Sequence, residues 1–228
     1  MDPDTLPDVR AATAWPGQRL TVVLLACGVL SPAVYICTDL AAGARYSGYS
    51  FAAQAVSELF AIGAPTSALV VPLFTIASLL LLALGGGAWR SSRGRRSISA
   101  LGLMIAANAV NSLMLWNFFP MHMRGVPPTS TDAMHGILAI NPFVMVSIAL
   151  GIAAFRSWFR VYSIATILVL VVMASIGFSY LRQFAVNEPT PWLGLAERVS
   201  QYAHQLWHAV LAIMLMRYRD VTGARARA

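Results

Sequence analysis

Residues 46–65 read YSGYSFAAQAVSELFAIGAP, and the topology of the chain turns on whether this stretch crosses a membrane. It is only moderately apolar and carries Glu58 near its middle, and a carboxylate at bilayer depth is costly unless protein or water covers it. Around it lie six more apolar stretches, at about 19–40, 67–89, 98–119, 135–155, 161–181 and 196–217. Each approaches the roughly 20 helical residues that span a hydrocarbon core. A seventh crossing at 46–65 would reverse the side of every later link.

The arginines decide between the two counts. All 16 basic residues are Arg, and the links at 90–97 (RSSRGRRS) and 156–160 (RSWFR) and the stretch from Arg217 onward are rich in them. With Arg10 and Arg19, twelve of the 16 fall on one side of a six-span chain, whereas the links at 41–66, 120–134 and 182–195 hold only Arg45, Arg124 and Arg182. Positive charge collects on the cytoplasmic side. The expectation is therefore an all-α bundle of six transmembrane helices in the cell membrane, multi-pass, with both termini cytoplasmic. Residues 46–65 become a re-entrant or interfacial segment on the outer side, where protein or water must cover the backbone.

Composition agrees with membrane residence. The chain is 58% apolar and 11% charged, with a mean hydropathy of +0.67, far from the balance of a soluble domain. The net charge of +7 is spread over the ends of apolar stretches with no soluble basic domain to hold it, which excludes a nucleic-acid partner and leaves the bilayer as the expected one. Residues 1–18, with three prolines and three aspartates, read as a disordered cytoplasmic lead, 19–217 as the transmembrane domain and 218–228 as a basic cytoplasmic tail. Cys27 and Cys37 are ten positions apart in one apolar stretch, about 15 Å along a helix, too far to bridge.

The polar residues inside these stretches are not scattered. Glu197, Gln201, His204 and His208 recur at i, i+4, i+7 and i+11, one face of the last helix. Asn108, Asn111 and Ser112 share a face of the third helix, Asn141 lies in the fourth, and Ser57 precedes Glu58. Intramembrane polar groups usually face a bundle interior or a wet cavity, so these residues are the expected lining of an outward-facing polar cavity.

His204 and His208 at i, i+4 offer two imidazoles to one point, as a zinc site requires, with a third ligand from another element. His135 is the candidate third ligand, and Glu58 or Asp132 the candidate base for a metal-activated water. On a rise of about 1.5 Å per residue, His204 and His208 lie roughly 20 and 14 Å above the cytoplasmic arginines and His135 roughly 31 Å, so convergence needs tilt or a longer last helix. Three other readings stand beside the metal: a non-catalytic accessory subunit whose histidines make interhelical hydrogen bonds, bis-His haem between His135 and His204, and a proton or small-solute transporter using Glu58 and the histidine stripe.

The ordered set SEL-x3-GAP (Ser57 to Leu59, Gly63 to Pro65), FP (Phe119, Pro120), H-x3-A (His135, Ala139) and GLAER (Gly194 to Arg198) resembles the bacterial membrane family called domain of unknown function 998. That resemblance covers about 20–215 and implies a polytopic membrane protein without an established activity. The HQLWH stretch also resembles the last-helix His-x3-His of the alkaline ceramidase and adiponectin-receptor superfamily, which implies a zinc-dependent membrane hydrolase of a lipid or amphipathic amide or ester. The Ser-x3-His of that superfamily is missing, since Phe118 stands four before His122 and Thr131 four before His135.

Overall fold

The computed structural model describes residues 16–225, with side chains over 18–217, so most of the expected disordered lead lies outside the described residues. The elements are α1 (Pro16–Arg45), a 3-10 turn (Val56–Leu59), α2 (Ser67–Arg90), α3 (Arg96–Phe118), α4 (Ser130–Ile140), α5 (Pro142–Ala154), α6 (Trp158–Ser179), α7 (Leu181–Ala185) and α8 (Leu193–Arg225). Among the described residues the one β contact is a bridge between Ile62 and His122. By length and apolar composition α1, α2, α3, the consecutive α4 and α5, and α6 are each able to cross a membrane. The long α8 carries the polar stripe, which dilutes its hydropathy. It also continues to Arg225, taking in most of the stretch expected as a tail.

The helices close into a ring, with α1 against α2, α2 against α3, α3 against α5, α5 against α6, α6 against α8 and α8 against α1. At the arginine-rich end the packing is dense. Gly85 and Gly102 face each other, and a Cβ on Gly102 would come within 2.6 Å of the Gly85 carbonyl oxygen and the Trp89 nitrogen, so glycine lets α2 and α3 approach backbone to backbone. Trp207 is fully buried among Ile148, Phe159 and Leu211, and its Nε1 donates to Ser163 Oγ at 2.9 Å. A Cβ on Gly151 would stand 2.7 Å from the Trp207 ring.

The expected fourth span, 135–155, is two helices. Proline has no N–H and clashes with the preceding turn, and Pro142 opens α5 while Asn141 holds a left-handed φ of 39° between α4 and α5. Asparagine tolerates that region better than most residues. The helix also begins earlier than expected, at Ser130, because Thr129 and Asp132 form a capping box. Its two halves behave differently, since α5 packs on both α3 and α6 whereas α4 packs on α3.

Residues 46–66 form no spanning helix. They fold into turns around the 3-10 segment, and Val56, Glu58, Leu59, Phe60 and Ala61 are at most 4% exposed. Ile62 N–H donates to the Met121 carbonyl at 2.8 Å, joining this cap to the link between α3 and α4.

Candidate functional site

Two arginines build the cap, Arg198 buried and Arg124 partly buried. Arg198 on α8 donates from Nε and Nη2 to the two carboxylate oxygens of Asp39 on α1, both at 2.9 Å. Its Nη1 reaches the carbonyls of Phe51 at 2.8 Å and Gln54 at 2.9 Å, and its Nη2 also donates to the Tyr49 hydroxyl at 2.5 Å. Tyr202 donates to Asp39 as well. The Tyr49 hydroxyl donates in turn to the Ala55 carbonyl at 2.7 Å, and burial pushes its phenol above the ordinary range, keeping it a neutral donor. Gly194 lies where a Cβ would be 2.7 Å from the Phe51 carbonyl oxygen. The GLAER stretch is thus the post on which the cap is mounted.

Arg124 closes the other side. Its Nε and Nη2 donate to the two Glu58 oxygens at 2.9 and 2.8 Å, its Nη2 also reaches the Ala53 carbonyl at 3.0 Å, and its guanidinium lies 4.7 Å from the Phe184 ring centre. Glu58 additionally accepts from Ala55 N–H at 2.8 Å and from Gln54 Nε2 at 3.2 Å. Asp132 is similarly occupied, accepting from His122 N–H at 2.7 Å, from Thr129 N–H at 2.7 Å and pairing with His122 Nδ1 at 2.9 Å. Both carboxylates expected as a base are bound into the cap and its neighbouring link.

Beneath the cap is a cavity of about 970 Å³. α3 presents Asn108, Asn111, Ser112 and Trp116, α4 presents Asp132 and His135, and Asn141 stands at the helix break; Ser57 belongs to the cap, and α8 presents Glu197, Gln201, His204 and Gln205. The opposite wall is apolar, from α6 and α7, with Val171, Phe178, Leu181 and Phe184. The chain belongs to the DUF998 family, described as protein of unknown function, whose sequence profile matches residues 19–214. No curated protein and no solved structure matches the chain at a significant level. In this DUF998 chain the motifs SEL and GLAER therefore have a structural explanation, as the two ion-paired anchors of the cap over the cavity.

The three expected zinc ligands do not converge. His204 and His208 are neighbours, with ring centres 5.4 Å apart, but His208 turns away from the cavity and packs against Trp207 at 5.5 Å. His135 Nδ1 lies 2.8 Å from the Phe119 carbonyl oxygen; since a carbonyl only accepts, that nitrogen carries the proton and donates it to the bond. Its ring lies 5.9 Å from Phe60. Among the described residues no group of three or more His, Cys, Asp or Glu is arranged to hold a metal. The physical reason is the break at Asn141, which lets α4 lean on α3 and carries His135 toward the cap.

Several important residues escaped sequence reasoning. Asp39 lies inside an apolar run, where an ionisable residue is itself a signal, yet its partner is 159 positions away. Gln205, which is not one of the stripe residues, is 6% exposed and lines the cavity. Four lining side chains carry a buried polar atom with no hydrogen-bond partner: Asn108 Nδ2, Trp116 Nε1, Asn141 Oδ1 and Gln205 Oε1. Asn141 Nδ2 does donate to Asn108 Oδ1, at 2.7 Å, and Asn111 Nδ2 to the Leu138 carbonyl freed by the break, at 2.9 Å.

Proposed function

We propose that the chain is a six-span membrane protein that binds an amphipathic molecule in this cavity. α8 serves as the sixth span, because its ionic residues near the cap face α1 and the cap segment rather than lipid. Both termini and the arginine-rich links then lie in the cytoplasm of a cell-membrane protein, and residues 46–66 form a covered segment on the outer side. The observation that carries the binding function is one large, mostly apolar cavity whose lining includes four residues that each bury a polar atom without a partner. A buried polar atom left without a partner costs about 1–3 kcal/mol, and four around one space favour an occupant that has both hydrogen-bonding groups and hydrocarbon. The separation of α4 from α6, with the cavity between them, supports entry from the membrane side.

This reading takes the place of zinc-dependent hydrolysis, whose ligand triad does not assemble and whose candidate bases, Glu58 and Asp132, are held in structural bonds. Native mass spectrometry of the purified full chain tests it. The chain should carry a lipid-like molecule at one per protein, and Ser112→Trp or Ala174→Trp, each filling the cavity, should remove that mass while preserving the fold. A cavity-filled variant that retains the same bound mass would contradict the proposal.

A further inference from the structure

Resting on that amphiphile-binding reading, we infer that the polar end of the ligand is cationic and is received by Glu197. Among the described residues Glu58 is ion-paired with Arg124 and Asp39 with Arg198, and Asp132 is bonded to His122. Glu197 belongs to none of these pairs. It lines the cavity, and its one hydrogen bond is at Oε2, which accepts from Val56 N–H at 2.9 Å. The adjacent Arg198 is spent on Asp39, Tyr49 and three carbonyls. A carboxylate in a largely apolar cavity is stabilised chiefly by an opposite charge brought beside it.

The charged and aromatic groups of the lining fit an ammonium better than an anion. Tyr35, Phe60 and Trp116 line the cavity, and Tyr35 and Phe60 pack together with Val56, the residue that Glu197 holds. Aromatic faces attract an ammonium group. Of the four partnerless atoms, Asn141 Oδ1 and Gln205 Oε1 are acceptors and Asn108 Nδ2 and Trp116 Nε1 are donors, so they accept a polar group of either kind and the sign of its charge is set by Glu197. The one arginine in the lining, Arg124, is bound to Glu58, so no free guanidinium is offered to a carboxylate or phosphate. The ligand class is an amphiphile with one amine or quaternary ammonium group and a hydrocarbon body for the α6 and α7 wall.

The test compares three probes of equal chain length, dodecyltrimethylammonium, dodecanol and dodecanoate, for binding to the full chain in a non-ionic amphipol at pH 8. The ammonium should bind roughly tenfold or more tighter than the alcohol, and the carboxylate weakest. Glu197→Gln, which keeps an oxygen for Val56 N–H, should lower ammonium affinity about tenfold and change dodecanol less than twofold. Ammonium and alcohol binding equally in the native chain would overturn the inference while leaving the amphiphile cavity intact. An equal loss of both probes in Glu197→Gln would show a structural role instead and also overturn it. Saturable binding of none of the three would contradict the amphiphile reading itself.

Discussion

The two ends of the helix ring solve the same packing problem in opposite ways. At the arginine-rich end, glycine contacts, Trp207 and interleaved aliphatic side chains fill the space, and the indole that enters the core finds Ser163. At the capped end, α4 breaks from α5 and leans on α3, ion pairs join a smaller apolar cluster around Val56, Phe60 and Phe74, and about 970 Å³ is left open among residues with partnerless polar atoms. Packed interiors rarely contain voids larger than a water molecule. The difference teaches that the open space is a local property of one half, produced by the break at Asn141 and roofed by Arg124 and Arg198, while the other half supplies the stability that holds it.

The largest effect expected from breaking this contrast is at Arg198. Arg198→Ala leaves Asp39, fully buried, without its charge partner and releases the Phe51 and Gln54 carbonyls. It should cost about 3–5 kcal/mol in denaturant unfolding of the detergent-solubilised chain. Restoring part of that stability with the additional change Asp39→Asn would assign the loss to the orphaned carboxylate. Next in size is Gly102→Ala at the opposite end. Its methyl would meet backbone atoms of α2 at 2.6 Å, so overpacking should cost about 1–3 kcal/mol and leave amphiphile affinity unchanged. A change in affinity of more than a few fold would mean that the two ends are coupled and the contrast is too sharp.

The smallest stability effect is expected at Gln205. Its Oε1 has no partner in the structure, so Gln205→Leu should be within about 1 kcal/mol of the native chain or slightly more stable. Bound amphiphile should nevertheless weaken. Marked destabilisation on this substitution would show that the amide has a partner in the empty protein and would remove one of the four atoms on which the binding reading rests.

The helical character, the placement of the apolar runs and the faces on which polar residues gather were legible in the sequence, because a 3.6-residue period exposes a face directly. Asn108, Asn111 and Glu197 could be assigned to a polar face in this way. Their partners could not. Periodicity along one helix says nothing of the rotation of the next, so the pairing of Asp39 with Arg198 and of Glu58 with Arg124 depended on tertiary geometry. The histidines illustrate the same gap. His204 and His208 share a face in sequence, but the cavity is broad enough to meet Gln205 and ends before His208, while the strength of the break at Asn141, more than a proline kink in a continuous helix, carries His135 to the Phe119 carbonyl.

The central claim, that the capped half encloses a ligand cavity and the arginine-rich half does not, is tested most directly by cysteine accessibility. In a chain with Cys27→Ser and Cys37→Ser, a cysteine replacing Ser112, in the cavity lining, is compared with one replacing Ser147, which is fully buried on α5. A small methanethiosulfonate reagent should label position 112 and not position 147, and a saturating long-chain amphiphile should slow labelling at 112 by about tenfold or more through exclusion of the reagent. Equal rates at the two positions, or labelling at 112 that no amphiphile slows, would contradict the account.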